Sequence, residues 1–316
     1  IDHKTLLDLT DLIDEAELPI KLYIETRPEG VNDNSVKLLK KLRVDGVGMG
    51  IEVSSEVFRK DTLNRHPTQE KIVDAFRILK ENNITLLVTA TTTAVSPAEH
   101  IMFMILNISK GIDLYDKAVR NSKFESIMHM KNNNTFELLN KKILIIGFGR
   151  IGRKLIKRCL GFEMKVYAYD PFVDQKIIES FGGIKVNDLN EGLKDTDILS
   201  LSVPLTEQTY NMINIEKMKI MKKNAIIINT SRGGVVNEKD LDEALNTGLL
   251  FGAGIDVFEK EPPDINNPLL KNKRVLLSPH SSTITEECTE RIGKETIQNI
   301  IDFFENELEQ SKIVKL

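Results

Sequence analysis

The sequence predicts an α/β protein: a doubly wound parallel sheet, preceded by a smaller and atypical α/β segment. Three observations carry this. Short apolar runs alternate with longer amphipathic stretches along the whole chain, the repetition that builds a parallel sheet. Runs such as Ala225-Ile226-Ile227-Ile228 are apolar without alternation, which requires burial on both faces. From Lys142 the alternation becomes stricter, and an apolar run there leads through closely spaced glycines into a helix pattern.

In the first part, Thr5 to Ala16 reads as a helix, Ile20 to Ile24 as a strand, and Ser35 to Leu42 as a helix with Leu38, Leu39 and Leu42 on one face. Val44 to Met49 is a second strand. Thr68 to Glu81 is a helix carrying Ile72, Ala75, Phe76 and Leu79 inward, with Thr68 as N-cap and Asn82-Asn83 as its stop. Ile84 to Val88 is a strand. Ser96-Pro97 then opens a long apolar helix, as N-cap and first helical residue, running to about Arg120. Later strands are Ile143–Ile146, Lys165–Tyr169, Ile198–Leu201, Ala225–Asn229, Gly252–Ile255 and Val275–Leu277, and a final helix runs from Glu286 to Asn306.

The 316 residues suffice for two domains, and 41% hydrophobic with 28% charged residues is an ordinary globular composition. A net charge of −4 with no basic stripe argues against nucleic acid as a partner. The longest apolar stretches, Ile101–Leu106 and Ile143–Ile146, are too short to span a bilayer. The opening Ile-Asp-His-Lys, with acidic residues soon after, reads as neither a signal nor a transit peptide. Two cysteines, Cys159 and Cys288, give no disulfide framework and read as small buried hydrophobes in a reducing cytoplasm. No metal site is expected.

Lys142 to Gly152, KILIIGFGRIG, is a G-x-G-x-x-G that follows an apolar strand and opens a helix. Gly147 permits the tight turn, Gly149 lets backbone approach a pyrophosphate, and Gly152 lets helix and sheet pack closely. The helix N-terminus adds amide donors and positive potential. Asp170 ends the next strand, eighteen residues after Gly152, where a carboxylate can hold both ribose hydroxyls. Its charge would repel a 2′-phosphate, so the expected cofactor of this Rossmann sheet is NAD rather than NADP.

Three segments downstream each follow a strand: NTSRGGVVNEKDL (Asn229–Leu241), GAGIDVFEKEPP (Gly252–Pro263) and LLSPHSST (Leu276–Thr283). Open α/β sheets bind ligands at the carboxyl ends of their strands, so these segments converge on the cofactor. Here the chain closely resembles the D-isomer-specific 2-hydroxyacid dehydrogenases, the family that includes D-3-phosphoglycerate dehydrogenase. VPLTEQT (Val203–Thr209) and SPAEH (Ser96–His100) match that family too. The resemblance runs from about Thr85 to Leu316. It implies that Arg232 binds the substrate carboxylate, that His280 is the acid/base, and that Glu261 orients it. By the same resemblance, Val203, Thr230, Asp256 and Ser281 lie around the nicotinamide and its ribose, and Arg150 and Ile151 against the pyrophosphate. The chemistry agrees: alcohol oxidation needs a base for the hydroxyl proton, histidine titrates near neutrality, and a carboxylate beside it favours imidazolium. Glu259 lies two residues from Glu261, but the EKEPP spacing matches Glu261 to the family position. His100 fits the AEH pattern as a structural residue.

Residues 1–84 are expected to differ from the family's usual N-terminal half. Glu25 to Ile84 resembles the later half of a radical-SAM barrel, yet no cysteine precedes Cys159 to hold its cluster. Arg27, Glu52 and Arg65 accordingly read as inherited scaffold, and Thr92 and Thr93 as a remnant of the family's carboxylate-binding loop. The expected division is a fragment at 1–84, linking helices at 85–120 and 284–316, and the NAD-binding domain at 121–283. The whole reads as a natural fusion, a recombinant gene or an assembly artefact, with a homodimer implied by the family helix after SPAEH. The leading expectation is an NAD-dependent oxidoreductase acting on a small D-2-hydroxy acid and its 2-keto acid. The alternative is an NAD-binding protein impaired by replacement of its substrate half.

Overall fold

A computed structural model describes residues 22–26, 31–42, 44–49, 74–75, 77–79, 81–82, 84–86, 93–124, 135–305, 307 and 309. The chain divides into two compact units, Thr93–Cys288 and Ile1–Thr92 with Thr289–Leu316. In the smaller unit, three parallel strands, β1 (Leu22–Thr26), β2 (Val44–Met49) and β3 (Thr85–Leu86), lie in sequential order. Helix α1 (Asp33–Lys41) begins in a capping box, with Asn32 accepting from the Asn34 and Ser35 amides, and buries Val36, Leu38 and Leu39. The described positions between 74 and 81 are helical, and Ala75 and Leu79 join Leu38, Leu39 and Leu42 in one core. The expected helix at Thr5–Ala16 and Arg27, Glu52, Arg65 and Thr92 lie outside the described residues.

The larger unit begins with α2 (Val95–Lys110) and α3 (Ile112–Arg120). They replace the single expected helix, because Gly111 takes a left-handed φ of 62° that ends α2. Ser96 is not the N-cap. Ala94 holds that place without a side-chain bond, and the Ser96 hydroxyl donates instead to the Ser282 carbonyl at 2.6 Å.

Seven parallel strands follow: β4 (Lys142–Ile146), β5 (Lys165–Tyr169), β6 (Ile184–Val186), β7 (Ile198–Leu201), β8 (Ala225–Asn229), β9 (Leu250–Ile255) and β10 (Val275–Leu277). Their order, β10-β9-β8-β7-β4-β5-β6, reverses between β4 and β7, which is the doubly wound arrangement. Helices α4 (Arg150–Gly161), α5 (Gln175–Ser180), α6 (Leu189–Leu193), α7 (Ile215–Ile220) and α8 (Glu238–Asn246) connect the strands, and α9 (Glu286–Phe304) follows the sheet. Strands β7 and β8 are buried at every position, as apolar runs without alternation require.

The observed division falls at Thr92 and Cys288 rather than at 84, 120 and 283. Residues 95–110 belong with the large sheet because Ala98, Ile101, Met104 and Ile105 share one core with Ile143, Ile145, Ile226 and Ile228. An added Cβ at Gly254 would stand 2.7 Å from the Met104 sulfur, so α2 lies directly on β9.

Candidate active site

Each proposed site residue lies at or just beyond the carboxyl end of a strand of the seven-stranded sheet, or on the segment that follows it. At the end of β4, Gly147 has φ 92° and a Cβ there would meet the Ser202 carbonyl oxygen at 2.3 Å. A Cβ on Gly152 would meet the Gly147 oxygen at 2.5 Å, so both glycines are required by packing within the fold. Gly149 differs: nothing lies within 4 Å of its added Cβ, and α4 starts there without a side-chain cap. Arg150 and Ile151 occupy the first turn of α4. Asp170, after β5, accepts the Phe148 amide at 2.8 Å and the Phe172 amide at 2.9 Å, which fixes its carboxylate at the rim of the glycine turn.

Beyond β7 and β8, the buried hydroxyls of Ser202 and Thr230 have no hydrogen-bond partner within the protein. Buried polar atoms are normally paired. Polar groups left open beside a glycine turn with free space over Gly149 fit the ribose and amide edges of a dinucleotide. Val203 belongs to the same wall, its Cγ1 lying 2.9 Å from the position of a Gly147 Cβ.

Glu261 and His280 follow β9 and β10. His280 Nδ1 and Glu261 Oε2 are 2.8 Å apart. The hydrogen bond that this carboxylate accepts raises the His280 pKa above the usual imidazole value; burial and Arg232 oppose it, while the Glu261 and Asp256 charges add to it. His280 has a left-handed φ of 52°, uncommon for a residue with a side chain, and its amide is held by the Asp256 carbonyl at 2.7 Å. Asp256 is fully buried and accepts from the Ser278 hydroxyl, the Ser281 amide at 2.9 Å and the Ser282 amide at 3.0 Å. Burial pushes its pKa up, but these donors outweigh burial and hold it below the usual carboxylate value. Thus Asp256 and Ser281 shape the turn that presents His280.

Arg232 sits where β8 turns toward α8. Asn229 builds this turn: its side chain donates to the Arg232 carbonyl at 3.0 Å and accepts from the Ser231 amide and hydroxyl. The guanidinium donates to the Ser231 carbonyl at 2.7 Å. Beside it, Gly233 lies so close to the next loop that an added Cβ would be 1.8 Å from the Phe258 oxygen. The arginine turn and the Glu261 loop are therefore in backbone contact. A cavity of about 440 Å³ opens beside Glu261 and His280, walled by Phe258, Pro262, Leu277 and Pro279.

Sequence reasoning missed two members of this arrangement. Glu238 bonds the Glu259 amide at 2.7 Å, and Ser278 links Asp256 to His100, whose Nε2 is 3.0 Å from the Ser278 hydroxyl. The only sequence signal for either was its place inside the NTSRGGVVNEKDL and LLSPHSST segments. Thr93 lies in the turn before α2. Among the described residues, no group of three potential ligands could hold a metal ion.

Comparison with known proteins agrees with this geometry. Residues 102–282 match the model of the D-isomer specific 2-hydroxyacid dehydrogenase, NAD binding domain. The chain is 30% identical over 315 residues to D-3-phosphoglycerate dehydrogenase of Methanocaldococcus jannaschii, covering 98% of this chain and 57% of that protein. It is 38% identical over 223 residues to hydroxypyruvate reductase of Thermotoga maritima, covering 70% of each. D-lactate dehydrogenase from Aquifex aeolicus, solved with NAD and lactic acid, superposes with a TM-score of 0.69 at 27% identity over 95% of this chain and 88% of that one. The chain thus spans little more than half of the archaeal phosphoglycerate dehydrogenase it matches. An alignment over 98% of the chain takes in most of residues 1–84, so the family likeness extends past the expected limit at Thr85. It lends no support to a radical-SAM likeness or to a join near residue 84. On the match over residues 102–282, this chain belongs to the D-isomer-specific 2-hydroxyacid dehydrogenase family and carries its NAD-binding domain.

Proposed function

We propose that this chain is an NAD-dependent oxidoreductase interconverting a small D-2-hydroxy acid and its 2-keto acid, with Arg232, Glu261 and His280 as its catalytic residues. The observation that carries the reading is the 2.8 Å contact of His280 and Glu261 on the edge of the sheet that also bears the glycine turn. Gly147, Gly149, Arg150, Ile151 and Gly152 would hold the pyrophosphate, Asp170 a ribose, and Val203, Thr230, Asp256 and Ser281 the surroundings of the nicotinamide. Held there, the nicotinamide would supply the hydride for keto-acid reduction and would accept it in the reverse direction. Arg232 holds the substrate carboxylate with a planar fork, which fixes which face of the substrate is presented. With Nδ1 committed to Glu261, Nε2 is the His280 atom that gives its proton to the keto oxygen or takes it from the hydroxyl. Glu261 stabilises the imidazolium and so favours the donor state needed for reduction.

The alternative, a protein that binds NAD without turnover, is not favoured, because the acid/base pair is assembled and the family alignment spans 98% of the chain. We place the protein in the cytoplasm, a reading supported by Cys159 and Cys288 being buried free thiols. Among the described residues no helix is long and apolar enough to cross a membrane. We also propose a homodimer formed through α2 and α3, where Phe103, Ile112, Leu114 and Val119 are exposed. The activity is tested by NADH oxidation with pyruvate, glyoxylate, hydroxypyruvate and phosphohydroxypyruvate, followed by oxidation of D- and L-hydroxy acids. Turnover with a 2-keto acid and with the D-isomer alone is expected; oxidation of the L-isomer, or no turnover with any keto acid, overturns the reading.

A further inference from the structure

We propose that Glu238 is a positioning residue, a charged strut that ties the arginine turn to the Glu261 loop and thereby aims Glu261 at His280. The inference rests on the acid/base reading of His280. Glu238 is the first residue of α8, six positions after Arg232, so its backbone continues the segment that carries the arginine. Its side chain crosses to the loop beyond β9. One carboxylate oxygen accepts the Glu259 amide at 2.7 Å and the other accepts the Asn267 side-chain amide at 2.5 Å. Glu259 stands two residues before Glu261. Around them the loop folds on itself, the Phe258 amide donating to Glu261 Oε1 at 3.2 Å while Oε2 faces His280. Fixing Glu259 therefore fixes the base of the turn from which Glu261 reaches the imidazole.

The chemistry at this position calls for a carboxylate. Both groups facing Glu238 are N–H donors, and a carboxylate accepts two bonds with no donor of its own. Glutamine keeps the length but turns one accepting oxygen into an NH2 that meets another N–H. A negative charge is also set against unfavourable surroundings here. Glu238 is half-buried, and burial raises its pKa; the Glu259 amide and Asn267 lower it, and the charges of Glu259 and Glu261 raise it again. A charge placed among other acids, with both oxygens committed to one loop, fits a device for holding that loop better than a surface for solvent.

The test uses the full chain carrying Glu238→Gln, with Glu238→Ala beside it. His280 is titrated by NMR, its resonance assigned by its loss in His280→Ala. The groups that face His280 are Glu261, Arg232 and Asp256, and each is left in place. In Glu238→Gln the His280 pKa is expected to fall toward the ordinary imidazole value as Glu261 loses its alignment. NADH affinity should stay unchanged, and kcat for keto-acid reduction should fall about tenfold with KM changing much less. A His280 titration identical to the parent's overturns the proposal, even if the variant melts at a lower temperature, because a merely structural residue would lower stability without moving that pKa. The titration needs no turnover. An inactive parent whose His280 pKa still responds to Glu238→Gln would sink the dehydrogenase reading and leave the strut standing.

Discussion

Gly233→Ala probes how tightly the arginine turn and the Glu261 loop are locked together. An alanine Cβ at this position would lie 1.8 Å from the Phe258 oxygen, 2.0 Å from its carbonyl carbon and 2.5 Å from the Glu259 nitrogen. All three are backbone atoms, so no side chain can swing aside. A comfortable carbon–oxygen contact is about 3.3 Å, so the arginine turn and the Glu261 loop must part by about 1.5 Å. Misplacing reacting groups by about 1 Å costs roughly a hundredfold in rate, or about 2.7 kcal/mol in the barrier. Overpacking of this kind also removes about 1–3 kcal/mol of stability. The assay is kcat/KM for keto-acid reduction by NADH, with circular dichroism to establish folding and NADH fluorescence to establish binding. The expected variant is folded, binds NADH and is at least a hundredfold less active. A folded Gly233→Ala protein within twofold of the parent would refute the argument that these backbones are in obligatory contact.

Further predictions concern single groups. Glu261→Gln removes the charge that raises the His280 pKa. The protonated form is the proton donor in reduction, so the alkaline limb of kcat/KM should move to lower pH, and a limb that stays in place would contradict the assignment. Gly149→Ala should leave Tm unchanged, since its Cβ points into open space, yet weaken NADH binding about tenfold or more by standing where the pyrophosphate approaches; unchanged NADH affinity would count against the proposed placement. Arg232→Lys should lower kcat/KM about tenfold or more, because a point charge cannot reproduce a two-bond fork; full activity would remove Arg232 from the carboxylate site.

The large sheet was legible because its strands are buried on both faces, and continuous apolar runs such as Ile143–Ile146 and Ala225–Asn229 have few other uses. Strand β6 was not legible. It is three residues at the sheet edge with Lys185 at its centre, and no apolar run marks it. The break at Gly111 was hidden because the apolar pattern resumes at Ile112, and only the left-handed backbone separates α2 from α3. The glycine turn and Asp170 were readable because their spacing is local. The supporting polar network was harder. His100 and Ser278 are 178 residues apart and Glu238 and Glu259 are 21 apart, so only the fold reveals that they touch. Asp256 was assigned to the nicotinamide region by resemblance, and its burial with three donors from the His280 turn adds a part that no spacing could have given.

In the proposed function His280, held by Glu261, moves the proton while the Rossmann turn holds the dinucleotide. The most direct test is NADH consumption by the purified chain and by His280→Ala, each with a panel of 2-keto acids, alongside NADH binding measured separately. Turnover by the parent is expected, with loss of at least a hundredfold in His280→Ala and equal NADH affinity in both. Keto-acid reduction that survives in His280→Ala, or a parent that binds NADH and reduces none of the acids, would contradict it.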